Sequence, residues 1–126
     1  MEKIDQVGGL SGLRSAIDTF VDRCFDDVMI GFIFRRAERS RIKEFEFQHA
    51  AAWLGAEVQY QGRPLGAAHQ KHRIMGGQFA RRIQILREVL EEARVPAPLI
   101  HEWVAHHESL REQITRDVGG ECNDPS

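Results

Sequence analysis

Apolar residues recur at three- and four-residue spacing through almost the whole of this chain, and no stretch sustains the two-residue alternation of a half-buried strand. That periodicity confines the fold to packed helices. A chain of 126 residues closes about one ordinary core. The sequence therefore predicts a single all-α domain over residues 1–118, followed by a short flexible tail over 119–126.

The first long helix is expected over residues 11–27, where Leu13, Ile17, Phe20, Val21, Cys24, Phe25 and Val28 form one stripe and Ser11 offers an N-cap. Gly8-Gly9 loosens the chain just before it. Ile30, Phe32, Ile33 and Phe34 crowd into residues 28–37, which predicts a brief helix or corner. A second helix is expected over 37–54, presenting Ile42, Phe45, His49 and Trp53 and closed by Gly55. Residues 56–72 lose the periodicity around Tyr60, Gly62 and Pro64 and read as a loop leading into a short helix. Phe79, Ile83, Leu86, Val89, Leu90 and Ala93 mark a long helix over 77–94. After Pro96 a last helix is expected to open at Pro98 and run to about Val118, burying Leu99, Ile100, Trp103, His107, Leu110 and Ile114. Two helix pairs joined by a loop carrying His69 make a sandwich with space between its layers.

Several function classes are disfavoured. Seventeen basic residues are scattered among 19 acidic ones for a net charge of -2, which lacks the basic patch a nucleic-acid binder needs. No apolar run approaches the roughly 20 residues of a membrane span. The N-terminus has no apolar secretory segment, and Cys24 and Cys122 lie far apart in sequence, so a cytoplasmic protein with reduced thiols is predicted. The six histidines, His49, His69, His72, His101, His106 and His107, contain no zinc-protease pair, neither cysteine lies in a CxxC pair, and Gly76-Gly77 lacks the lysine-serine partner of a phosphate loop. What remains is a set of histidines and phenylalanines around one loop.

Read in order, Gly8-Gly9, Leu13, Ile17, Phe20, Phe34, Leu54-Gly55, Tyr60, Gly62-Arg63, His69, Phe79 and Leu86 resemble the truncated haemoglobins, the two-over-two helical globins, and among them group I. The resemblance covers nearly the whole chain. It implies a truncated globin fold around haem b, with His69 as the proximal ligand to the iron, seven residues beyond Gly62. It places Phe34 on the haem face and Val21, Ile42, Phe45, Glu46 and Phe79 around the pocket, with Phe79 as much core as pocket. His72 is the reserve ligand, and otherwise lies near a haem propionate or in solvent. Arg82 stands about where the other groups of the family carry a tryptophan. The physical requirement agrees with the residues: iron wants one neutral imidazole on one face, and the ring wants an apolar slot that keeps water away.

On the distal side the sequence departs from the family. Val21 follows Phe20 where a tyrosine normally hydrogen-bonds bound oxygen, and Ile42 and Glu46 stand where polar residues such as glutamine are frequent. Glu46 either swings out to solvent or is held in the pocket, where desolvation would raise its pKa and let it pass protons. His49, a turn further on, is expected at the pocket rim, and His101, His106 and His107 as surface or packing residues. Three functional readings follow. The first is reversible binding of oxygen, nitric oxide and carbon monoxide opposite His69, with a reductase as redox partner and a monomer or weak dimer as the working form. The second is a haem enzyme, a peroxidase, nitrite reductase or nitric oxide dioxygenase, using Glu46 with His49 or Arg82. The third is a haem-based sensor.

Overall fold

The computed structural model describes residues 2–35, 37–56 and 76–110. Every regular element among them is helical: α1 (Lys3–Gln6), α2 (Gly9–Asp26), a 3-10 turn (Gly31–Phe34), α3 (Arg39–Trp53), α4 (Gly76–Glu92) and α5 (Ala97–Ser109). The backbone of α2 packs against α1, the 3-10 turn, α3 and α4, and α4 packs in turn against α5. The result is the pair α2/α3 laid over the pair α4/α5, the two-over-two arrangement expected. None of the described helices is long and apolar enough to cross a membrane.

Helix α2 begins two residues before its expected start, and Ser11 is not its cap. Gly8 takes that place with φ +91°, and Gly9 follows at +72°. Only glycine adopts such a pair readily, so the chain doubles back and α1 packs onto α2. The carbonyl of Gly8 accepts from Gly12 N at 3.1 Å. A Cβ on Gly12 would collide with the carbonyl of Val7, so the close approach of the two helices depends on that glycine.

Leu13, Ile17, Phe20, Val21 and Cys24 are buried as the stripe predicts, but Val28 is 97% exposed. The physical reason is Asp27. Its side chain accepts from Met29 N at 2.9 Å and Ile30 N at 3.2 Å and from Arg81 at 2.7 Å, a local turn that ends the helix and swings Val28 outward. Ile30, Ile33 and Phe34 then return to the core. Burial pushes the Cys24 thiol up to about 12, so it stays an inert packing group. Cys122 lies outside the described residues.

Helices α3 and α4 end by the same device with different residues. At the end of α3, Gly55 is left-handed (φ +91°), Ala56 N reaches Ala51 O at 2.9 Å and Gly55 N reaches Ala52 O at 3.1 Å. At the end of α4, Arg94 is left-handed (φ +62°), with Val95 N on Leu90 O at 3.1 Å and Arg94 N on Glu91 O at 3.0 Å. Both satisfy otherwise orphaned carbonyls. Helix α5 opens one residue earlier than expected, at Ala97, with Pro98 in its first turn. Leu99, Ile100 and Trp103 are buried there as predicted. The expected continuation toward Val118, with Ile114, and the expected tail over 119–126 lie outside the described residues, as does all but Ala56 of the loop and short helix expected over 56–72.

Candidate functional site

Helix α3 has two inward faces. Phe47, Ala50 and Ala51 are buried toward α2, where the Arg14 guanidinium lies 3.7 Å from the centre of the Phe47 ring and donates to Glu44 at 2.8 Å. The second face carries Ile42, Phe45, Glu46, His49 and Trp53, at helical spacing and all only half-buried. Opposite its C-terminal half stand Arg82 of α4 and Trp103, His106 and His107 of α5.

Arg82 is the most unusual of these, a guanidinium only 3% exposed. It is anchored three ways. Nη2 donates to Glu46 Oε2 at 3.1 Å, Nη1 donates to His107 Nδ1 at 2.8 Å, and its Cζ lies 5.1 Å from the centre of the Phe20 ring. A guanidinium has no acceptor, so Nδ1 of His107 must offer its lone pair and the imidazole is the neutral tautomer protonated at Nε2. Glu46 does not swing out to solvent. Its side chain is 16% exposed and is turned onto Arg82. A buried ion pair of this kind adds little net stability over apolar packing, but losing one partner strands the other.

Beside this pair lies a seam of rings. His106 stacks on His49 at 5.6 Å and on Trp53 at 4.9 Å, and Trp53 leans on Trp103 at 5.7 Å. His106 Nε2 is buried with no hydrogen-bond partner among the described residues. Burial holds the His49 imidazole below its ordinary value, with the Glu46 charge opposing and the Arg82 charge adding to the effect. Burial also lowers His106, helped by repulsion from His49. The fold thus favours both rings neutral. Its stabilisation from them is complete above the ordinary histidine value of 6.5 and is lost as pH falls through the lowered folded values. The expected result is that the unfolding free energy declines as pH falls below about 6.5. His106→Phe, which keeps the stack, should flatten that decline. A decline of equal slope in the variant would assign it to other groups.

The structure places the other expected site residues as follows. Val21 (2% exposed), Phe34 (7%) and Phe79 (0%) are sealed in the core, with Phe34 stacked on Phe25 at 5.0 Å. Phe45 lies under the Arg41 guanidinium at 5.3 Å. His69 and His72 lie outside the described residues, as do Tyr60, Gly62 and Arg63. Among the described residues no group of three His, Cys, Asp or Glu side chains could hold a metal ion. The contact of Arg82 with His107 was not foreseen. One signal points to it: Arg82 sits between Phe79, Ile83 and Leu86 on the core stripe of α4, and a cation in that register needs partners.

Comparisons with known proteins agree with this architecture. The profile of the bacterial-like globin family matches residues 3–116. Among solved structures, the Fe(III) truncated hemoglobin of Tetrahymena pyriformis is 20% identical, superposes with a TM-score of 0.81 and matches over 90% of this chain and 97% of that one. The 2/2 hemoglobin of Synechococcus sp. PCC 7002, in the cyanomet state with covalently attached heme, is 20% identical with a TM-score of 0.83, over 92% of this chain and 99% of that one. THB1 of Chlamydomonas reinhardtii is 23% identical with a TM-score of 0.76, over 90% and 96%.

Proposed function

The chain belongs to the bacterial-like globin family, and from that membership we propose that it holds haem b through His69 and reversibly binds oxygen, nitric oxide and carbon monoxide on the opposite face. The observation that carries the reading is the second face of α3. Ile42, Phe45, Glu46 and His49 are left half-buried by the described residues, beside a sealed layer that includes Val21, Phe34 and Phe79. A flat apolar ring fits such a wall, which adds cover that the helices alone do not supply. Haem iron with a single imidazole ligand supplies the affinity for diatomic gases. The protein's part is to exclude water and to set which hydrogen-bond donors face the ligand. We place it in the cytoplasm as a monomer or weak dimer served by a reductase.

The test is the visible spectrum. Protein produced with an adequate haem supply should keep its Soret band through dialysis and lose its haem to an acidified organic solvent, as haem b does. Haem retained in the aqueous phase would indicate covalent attachment, and a colourless protein would overturn the reading. A second reading, turnover of peroxide or nitrite, draws support from Glu46 being held inward on this face, and a turnover assay decides it.

At the positions expected nearest the ligand the donor supply is poor. Val21 of α2 and Ile42 of α3 have none, the Oε2 of Glu46 is engaged in accepting from Arg82, and His49 lies a turn further along α3. Oxygen release from the ferrous protein is therefore expected to be fast, and oxidation to the ferric state ready. A new hydroxyl in reach of the ligand contributes about 0.7–1.4 kcal/mol, so Val21→Tyr should slow release by roughly threefold to tenfold. Stopped-flow oxygen release, on a variant whose melting curve shows it folded, measures this. Slow release from the unmodified protein, with a pH dependence that Glu46→Leu abolishes, would make Glu46 the donor instead.

A further inference from the structure

We infer that Arg82 sets the charge selectivity of the ligand side and that Glu46 masks it: with the pair intact the site favours uncharged ligands, and with Glu46 neutralised it favours anions. The inference rests on the proposal that the second face of α3 meets the haem. A guanidinium is a permanent cation, and Arg82 is almost wholly removed from water, where a charge is felt far more strongly than at the surface. Among the described residues its carboxylate partner is Glu46, at 3.1 Å. His107 adds no charge, because accepting from Arg82 through Nδ1 fixes it as the neutral ring. The other arginine–carboxylate pairs on α3, Arg14 with Glu44 and Arg39 with Asp22 and Asp26, have side chains 43% or more exposed and are screened by solvent.

The anchoring of the two partners is unequal, which makes the pair a selector rather than a plain clamp. Arg82 keeps two further supports that do not involve Glu46: the Nδ1 of His107 and the face of Phe20. Removing the charge of Glu46 therefore leaves a fixed, unbalanced cation behind the α3 face. Phe20 is also the residue immediately before Val21, so the cation of α4 lies against the turn of α2 that carries the donorless position. An anion arriving from solvent gains from that cation, whereas a neutral ligand does not.

The experiment is a spectral titration of the ferric holoprotein with azide, an anion, and with imidazole, a neutral ligand. Four proteins are compared: the unmodified chain, Glu46→Gln, Arg82→Met and the double variant. The azide-to-imidazole affinity ratio should rise about tenfold or more in Glu46→Gln, fall in Arg82→Met and return close to the starting ratio in the double variant. General loosening of the fold shifts both affinities and leaves the ratio in place. If Arg82→Met does not fold, the double variant, which carries neither charge, supplies the same comparison against Glu46→Gln. A ratio constant within about twofold across proteins that all hold haem would overturn the inference and leave the functional proposal standing. Failure of the unmodified chain to take up haem would overturn both.

Discussion

Replacing His69 with alanine is expected to abolish stable haem binding, leaving protein that is colourless after dialysis or carries a loose, spectrally mixed haem. In the proposed site the His69 imidazole would supply the protein's bond to the iron, and without it the affinity would rest on apolar contact with residues such as Ile42 and Phe45, which would not fix the ring's orientation. The helices should survive the change, since Leu13, Phe79, Leu86, Leu90 and Trp103 are sealed whatever fills the site. Melting should nevertheless fall to that of the haem-free protein, because a group that binds only the folded chain stabilises it by mass action. His72→Ala should keep a native spectrum. If His72→Ala loses the haem and His69→Ala keeps it, the proximal role passes to His72.

The second large effect concerns Glu46. Glu46→Leu keeps the volume roughly and removes the carboxylate, so the Arg82 guanidinium is left buried without a counter-charge. Breaking one side of a buried pair costs about 3–5 kcal/mol. The partial exposure of Glu46, 16%, and the remaining bond from Arg82 to His107 at 2.8 Å place the expected loss toward the lower end of that range. Glu46→Leu combined with Arg82→Met should recover most of it, because two apolar groups at these positions leave no charge stranded. Chemical denaturation of the four proteins gives the coupling directly. A loss below about 1 kcal/mol in Glu46→Leu, or a double variant no more stable than the worse single one, would show that the pair is hydrated and not sealed.

The parts of the fold that could be read from sequence were those where one signal acted alone. Helix α4 repeats Phe79, Ile83, Leu86, Val89 and Leu90 without interruption, and its core face followed directly. Gly55 ended α3 because left-handed backbone favours glycine, whereas Arg94 does the same for α4 and leaves no compositional mark. The start of α2 was misplaced because Ser11 is a good cap by type, and the paired left-handed glycines before it outweighed that preference. Val28 kept helical register in the sequence but was turned outward by the side chain of Asp27, a bond whose effect a periodicity argument does not contain. Ile42, Phe45 and Glu46 could be placed together on α3 from spacing and family resemblance. The link from Arg82 to His107 spans 25 positions and joins two helices, so the core register of Arg82 signals that it needs a partner but not which one. The ligand assignment of His69 comes from the resemblance alone, since that residue lies outside the described part of the structure.

The one-sided seating of α3 has a kinetic consequence. Its backbone packs against α2, while it meets α4 and α5 through the ends of long side chains, Glu46 to Arg82 and His49 and Trp53 to His106. Along its seam with α2, the bonds from Arg39 and Lys43 to Asp22 and from Arg14 to Glu44 are solvent-washed. With Phe47, Ala50 and Ala51 remaining buried against α2, the edge of α3 that faces α4 and α5 is expected to part from them at a fraction of the global unfolding free energy. A rigid planar molecule can therefore be admitted by swinging α3 aside, with α2, α4 and α5 staying closed around Trp103 and Phe79. Backbone amides of α3 should exchange with solvent first in the haem-free chain, and the rate of haem capture should follow that local opening, rising with ionic strength as the α2–α3 ion pairs are screened.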